Sequence, residues 1–227
     1  MITSRNNETL RLVRKLLGPR KHRDETGLFA AEGEDLVAAA REAGIEPVHL
    51  LVAGENIEPE LLAAVSTLPH PARVIGVYRT ADLPRGDRET VLALWQVGDP
   101  GNVGTLLRTA DAFGAGVSSS AGCADSLGPK ALRASAGSVF RVPQVDWDAV
   151  PGRKVALVAH GGVPLADLDL EPPLTLFLGS ERDGLPDSLV AGCERATIVM
   201  PGPVESLNVA AAGAIALYET FRLSSER

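Results

Sequence analysis

The chain has 227 residues, a formal net charge of −7 from 22 Lys+Arg against 29 Asp+Glu, and 45% hydrophobic but only 4% aromatic residues. That composition supports a globular protein whose core is built mainly from Ala, Val and Leu, and it excludes wholesale disorder. It also speaks against a membrane protein, whose helices need roughly 20 apolar residues in a row, against a secretory leader in the polar start MITSRNNETL, and against a disulfide framework or zinc site at Cys123 and Cys193; a cytoplasmic protein without structural metal is the expectation.

The first segment carries a charge of its own. Residues 1–23 hold seven bases (Arg5, Arg11, Arg14, Lys15, Arg20, Lys21 and Arg23) and one acid, Glu8, which is +6 and leaves −13 on the remainder. A bulk nucleic-acid binder usually has a strongly basic domain, which the acidic total argues against, so the split between segments is the signal. Leu10, Val13, Leu16 and Leu17 recur at helical spacing within this segment. A short strand follows in GLFAAEG, then a helix in EDLVAAAREAG closed by Gly44. PVHLLV reads as a strand, PELLAAV as a short helix with Pro59 at its first position, and ARVIGVYR as a strand. Periodicity lapses in RTADLPRGDRET, which places a linker near 80–90 and two domains, 1–85 and 86–227.

From there strand, glycine turn and helix alternate: VLALWQV, the turn GDPGNVG, the helix TLLRTADAFG, the weak strand GVSSS and the helix PKALRASAG. KVALVA and LTLFL are strands of buried type, PDSLVAGC a short helix, ATIVM a strand, and SLNVAAAGAIALYETFRL the closing helix. This alternation predicts an α/β domain with a parallel sheet covered by helices on both faces. Ligands in such sheets bind beyond the carboxyl ends of the strands, where the loops 98–104, 179–185 and 201–208 fall.

Each loop has a structural and a chemical reading. Gly98, Gly101 and Gly104 have the wrong spacing for a dinucleotide fingerprint, and no phosphate loop is present. Asn102 suits a helix cap. Arg108 is either a solvated helix charge or a guanidinium aimed at a phosphate or developing oxyanion. Gly179 and Gly184 allow close backbone approach around Glu181, which is either a turn acid or an acceptor for an arginine or a ligand hydroxyl. Ser206 suits the cap of the last helix, which puts Asn208 inside its first turn, where a purely structural helix gains little from it.

The three loops in this order, NVGTLLRTADAFGA, LGSERDGLP and IVMPGPVESLNVAAAGAIALYE, resemble the SpoU (TrmH-like) RNA ribose 2′-O-methyltransferases of the SPOUT superfamily over about residues 90–222. VRKLLGPRKHRDETGLFAAEG resembles the substrate-binding domain that many members carry ahead of the catalytic one, itself similar to a small ribosomal-protein RNA-binding fold. The resemblance implies a SPOUT-type parallel sheet with a C-terminal trefoil knot, a homodimer, and methyl transfer from S-adenosylmethionine to a ribose 2′-hydroxyl, with ribosomal RNA favoured over transfer RNA. It implies catalytic roles for Arg108, Asn102, Glu181, Ser206 and Asn208, with Asn102 and Arg108 serving the opposite subunit's cofactor. It implies cofactor contacts at Leu178, Gly179, Ile198, Met200, Gly202 and Leu207. Arg14, Lys15, Arg20, Lys21 and Arg23 are the expected RNA contacts. Arg182 departs from the glycine that relatives often carry, which questions the local loop shape. A non-catalytic RNA-binding or ribosome-assembly protein on the same scaffold is the alternative.

Overall fold

The computed structural model describes residues 1–225. In chain order the elements are α1 (Glu8–Leu16), α2 (Arg20–Thr26), β1 (Leu28–Glu32), α3 (Glu34–Glu42), β2 (His49–Val52), α4 (Pro59–Ala63), β3 (Val74–Arg79), β4 (Thr90–Leu94), α5 (Pro100–Ala112), β5 (Gly116–Ser119), α6 (Pro129–Ser135), β6 (Arg153–Leu157), β7 (Val163–Pro164), β8 (Leu174–Leu178), α7 (Asp187–Val190), β9 (Glu194–Thr197) and α8 (Val209–Ser225). They form two compact units, one of residues 1–83 with 125–141, the other of residues 84–124 with 142–227.

In the first unit β3 is the centre of a three-stranded antiparallel sheet, ordered β1-β3-β2. Alternation along β3 divides its side chains between the faces. Ile75 and Val77 join Leu10, Val13 and Leu16 of α1, Leu51 and Leu62 in one apolar cluster. On the other face Tyr78 packs with Phe29 and Phe140, the three rings 5.3–5.9 Å apart. Tyr78 lies back over Gly76, where a Cβ would sit 2.5 Å from the phenol oxygen, so only glycine fits beneath the ring.

The segment 125–141 is a correction to a second domain running unbroken over 86–227. It is bound to the first unit by Phe140 and by two ion pairs. Asp125 Oδ2 meets Arg23 Nη2 at 2.7 Å. The buried Glu32 carboxylate accepts from Ser66 Oγ, Thr67 N and Thr67 Oγ1, and lies 3.9 Å from Arg133 Nη1. Gly137 sits against Ala39, with room for no Cβ.

The second unit is a six-stranded sheet of order β5-β4-β8-β6-β9-β7, parallel at every pairing. Val91–Leu94 of β4 and Leu174–Leu178 of β8 are buried along their length, as central strands covered on both faces must be. α5 and α8 pack together. At their contact a Cβ on Gly213 would lie 2.4 Å from Leu106 and 2.9 Å from Leu178, so the small residues of α8 let the helix settle onto both α5 and β8.

Three local expectations shift. α5 starts at Pro100 and not near Thr105, because Asp99 caps it, accepting from Gly101 N and Asn102 N. Asn102 therefore stands in the first turn and is not the cap. β9 covers Glu194–Thr197 and not the apolar ATIVM, leaving Ile198–Met200 in the loop beyond it. α2 and the two-residue β7 are additional elements.

Candidate functional site

β4, β8 and β9 run in the same direction, so the loops that follow them leave the sheet at one edge. Beyond Leu178 the chain turns at once. Ser180 and Gly184 exchange backbone hydrogen bonds of 3.1 and 3.2 Å, and Asp183 N donates to Ser180 Oγ. Gly184 adopts φ +67°, and a Cβ on Gly179 would fall 2.2 Å from the Gly184 carbonyl carbon. These two glycines make the turn. Arg182 is not in the positive-φ region that favours glycine, so a side chain at this position does not strain the turn.

The turn projects Glu181 onto the start of α5. Its Oε2 accepts from Gly98 N at 3.0 Å, and its Oε1 from Asp99 N at 3.1 Å and Asn102 Nδ2 at 2.9 Å. Burial pushes this carboxyl up, but the bonds from Asn102, Gly98 and Asp99 outweigh it and hold the group below the ordinary carboxylate range. Asn102 Oδ1 in turn accepts from Asn208 Nδ2 at 3.0 Å. The other end of the Asn208 amide accepts from Ala210 N and Ala211 N, so Asn208, and not Ser206, caps α8. One chain of hydrogen bonds, Glu181–Asn102–Asn208, thus ties together all three loops singled out in the sequence.

Beside this chain lies a cavity of about 610 Å³, within the range of small-molecule and cofactor sites. Leu178, Gly179, Ile198, Met200 and Leu207 line it, with Glu181, Ser206 and Asn208. Gly202 and Asn102 do not. The sequence reading missed Leu157 at the end of β6, Val158 and Ala159 just beyond it, and the tip residues Arg182 and Asp183, all of which line the cavity. Leu157, Val158 and Ala159 come to the cavity because the structure pairs β6 with β8, a strand order that the sequence pattern does not give. Arg108 is exposed on α5 and does not line the cavity of its own chain; it has no hydrogen bond or ion pair among the described residues. The Ser206 hydroxyl likewise has no partner among the described residues.

The basic segment divides. Arg14 and Lys15 are exposed on α1. Arg20 and Lys21 face Asp24 and Glu25 one turn on, at 3.3 and 3.6 Å. Arg23 is corrected from a surface contact to a core residue. It is 5% exposed, bonded to Asp125 and to the carbonyls of Leu16 and Gly18, because the closed end of α1 offers carbonyls that need a donor. Among the described residues no group of three or more metal-ligating side chains occurs, and no helix is long and apolar enough to cross a membrane.

The model of the SpoU rRNA Methylase family matches residues 89–218, and that of the MRM3-like substrate binding domain matches residues 7–81. The chain is 31% identical to the 23S rRNA (guanosine(2553)-2′-O)-methyltransferase RlmP of Bacillus subtilis, over 90% of this chain and 92% of that protein. It is 31% identical to a 23S rRNA (uridine(2479)-2′-O)-methyltransferase of Streptomyces viridochromogenes, over 97% and 91%. Among solved structures it resembles an AdoMet-bound rRNA methyltransferase from Sinorhizobium meliloti, with TM-score 0.84 and 31% identity over 98% of this chain and 97% of that one. The SpoU methyltransferase AviRb of Streptomyces viridochromogenes, in complex with AdoMet, gives TM-score 0.82 and 28% identity over 97% and 100%.

Proposed function

The chain belongs to the SpoU rRNA methylase family, and on that premise we propose that it transfers a methyl group from S-adenosylmethionine to a ribose 2′-hydroxyl of ribosomal RNA. The observation that carries the reading is the Glu181–Asn102–Asn208 chain beside the 610 Å³ cavity. It brings the three family motifs to one place with their polar groups engaged with one another. The cavity's chemistry fits the cofactor: Leu178, Ile198, Met200 and Leu207 offer apolar surface, Gly179 leaves main chain accessible, and Asp183 suits a cationic ligand. When bound, S-adenosylmethionine supplies a methyl group already activated on a sulfonium.

The remaining work falls to the protein. Reactants must be held in line, and the attacking hydroxyl must lose its proton as the oxygen gains charge. Arg108 is assigned the binding of the neighbouring phosphate and stabilisation of the developing alkoxide. A guanidinium, protonated at any working pH, is a poor base but a strong electrostatic partner. Ser206, with its free hydroxyl, is assigned to the ribose. Glu181, Asn102 and Asn208 act as positioning residues, since their hydrogen-bonding groups already engage one another and the loop backbones.

Because Arg108 does not line the cavity of its own chain, its role calls for a homodimer in which it serves the partner's cofactor. Support comes from the exposed Ile215 and Tyr218 of α8, beside the packed α5, a face that a second copy would cover. A trefoil knot is part of the same reading. Its support is β8, which enters the sheet between β4 and β6 after β6 and β7 have been laid down. The first unit is read as a ribosomal-protein-like RNA-binding domain, with Arg14 and Lys15 as its contacts, and the protein as acting in the cytoplasm.

The test is calorimetry with S-adenosylmethionine, followed by mapping of 2′-O-methylation on ribosomal and transfer RNA incubated with the full chain. Binding and one modified ribose in ribosomal RNA are expected. Absence of cofactor binding would favour a non-catalytic RNA-binding protein, and modification of transfer RNA alone would move the substrate.

A further inference from the structure

One charge at the cavity has no task in the mechanism above. Arg182 stands at the tip of the turn after β8 and is the one cation among the described residues lining the cavity. It is exposed, and it has no hydrogen bond or ion pair among the described residues. Its neighbours do not claim it. Glu181 is bent away onto Gly98, Asp99 and Asn102, and Asp183 forms no ion pair with it. Nor does the loop need it, since Gly179 and Gly184 make the turn.

A guanidinium beside a site for a sulfonium ligand adds a like charge there, and an anion that meets it would offset the repulsion. Two anions are available in the proposed reaction, the carboxylate of the cofactor and the phosphates of the RNA. The charge distribution favours the second. The unit that holds the cavity, residues 84–124 with 142–227, carries nine bases against 16 acids, a formal −7, so a polyanion approaching the cavity is repelled by the body around it, and a cation at the mouth offsets that repulsion locally. The planar fork of donors on arginine matches a phosphate in two-point geometry.

We propose that Arg182 binds a backbone phosphate of the RNA strand beside the target ribose, and so sets RNA affinity at the cavity mouth. The inference rests on the RNA-methyltransferase reading. Its test compares Arg182→Ala and Arg182→Lys with the unmodified full chain. Three quantities are measured: the S-adenosylmethionine Kd, equilibrium binding of deproteinised large-subunit ribosomal RNA between 50 and 200 mM salt, and the methylation KM and kcat.

For Arg182→Ala, RNA affinity should fall by about tenfold and the slope of log affinity against log salt should decrease by about 0.7–0.9, the share of one phosphate contact. KM should rise in step, with kcat within about twofold and cofactor Kd unchanged. Arg182→Lys should keep the salt slope and recover part of the affinity, a distinction that a merely structural role would not produce. Weakened cofactor binding with unchanged RNA affinity would overturn the proposal and assign Arg182 to the cofactor carboxylate. Unchanged values throughout would overturn it as a solvated charge. If the unmodified chain binds RNA but methylates no ribose, the enzymatic reading fails, while Arg182 is still judged on RNA affinity and its salt slope.

Discussion

The carboxylate of Glu181 is the point at which the site is most open to a single-atom perturbation. Replacing it with glutamine preserves shape but exchanges one acceptor oxygen for an NH2 group. Oε1 serves both Asp99 N and Asn102 Nδ2, while Oε2 serves Gly98 N alone. The best orientation of the amide therefore keeps the first two bonds and sets its NH2 against the Gly98 N–H. One bond is lost outright and two lose their charge assistance. Hydrogen bonds to charged groups contribute about 1.5–3 kcal/mol each when shielded. Here the carboxylate is exposed and water can replace the lost partner, so Glu181→Gln should cost about 1–2 kcal/mol in total. Activity should suffer more than stability, because Asn102 then loses its fixed orientation and with it Asn208. A misplacement on the order of 1 Å costs about 100-fold in rate. Urea unfolding followed by the tilted Trp95–Trp147 ring pair, alongside methylation kinetics, measures both. The pH dependence adds a sign. The folded pKa lies below its ordinary 4.5, so the stabilisation is fully present above that value and is lost as pH falls through the folded pKa. The stability gap between the two proteins should be constant from pH 7 to about 4.5 and close below it. A variant within twofold of full activity, or a gap that widens on acidification, would refute the positioning role.

Arg108→Ala should fold and bind S-adenosylmethionine unchanged while losing about 10²–10³ in methylation rate. Mixed with an inactive Gly179→Val chain it should regain partial activity if the two residues serve one site from different subunits, and none if they act within one chain. Arg23→Met leaves Asp125 without its partner and should cost about 3 kcal/mol in chemical denaturation. Arg14→Gln with Lys15→Gln should leave stability unchanged but weaken RNA binding and flatten its salt dependence. Tyr78→Phe removes a buried hydroxyl that lacks a hydrogen-bond partner, so its thermal stability should match or exceed that of the parent by about 1 kcal/mol. Burial pushes the Tyr78 phenol up to about 12, so the parent should lose stability relative to Tyr78→Phe, followed by circular dichroism, as pH rises from about 10 through that value.

The site was legible in the sequence where glycine, proline and polar residues interrupt apolar strands, which is why all three loops were found at the correct edge of the sheet. What pattern could not give was the division of labour inside them. Asp99 and Asn102 are both good caps, and the choice depends on Glu181, 79 positions from Asn102 along the chain, which occupies the Asn102 amide. Ser206 and Asn208 are similarly equivalent by propensity, and the geometry of the α8 entry selects Asn208. Ile198–Met200 read as strand because they are apolar, yet they lie beyond β9. Near the sheet edge the strand itself is formed by Glu194–Thr197, whose first two residues are exposed, so its sequence lacks the apolar run that marks a buried strand. The passage of residues 125–141 to the first unit had no local signal at all, since α6 looks the same whichever core receives it.

Arg23 shows why charge counting needs a structure. Its sequence context is indistinguishable from that of Lys21, and the +6 of residues 1–23 counts both. One is exposed beside Glu25 and the other lies in the core, neutralised by Asp125. With Arg20 and Lys21 also facing acids, the cations of that segment without an ion pair among the described residues reduce to Arg5, Arg11, Arg14 and Lys15. Arg11, Arg14 and Lys15 recur at the three- and four-residue spacing that gathers side chains on one side of a helix. On the proposed RNA-methyltransferase reading, a cluster of that kind would hold several phosphates in fixed register, which seven independent charges would not, and would leave the choice of ribose to the loops around the cavity.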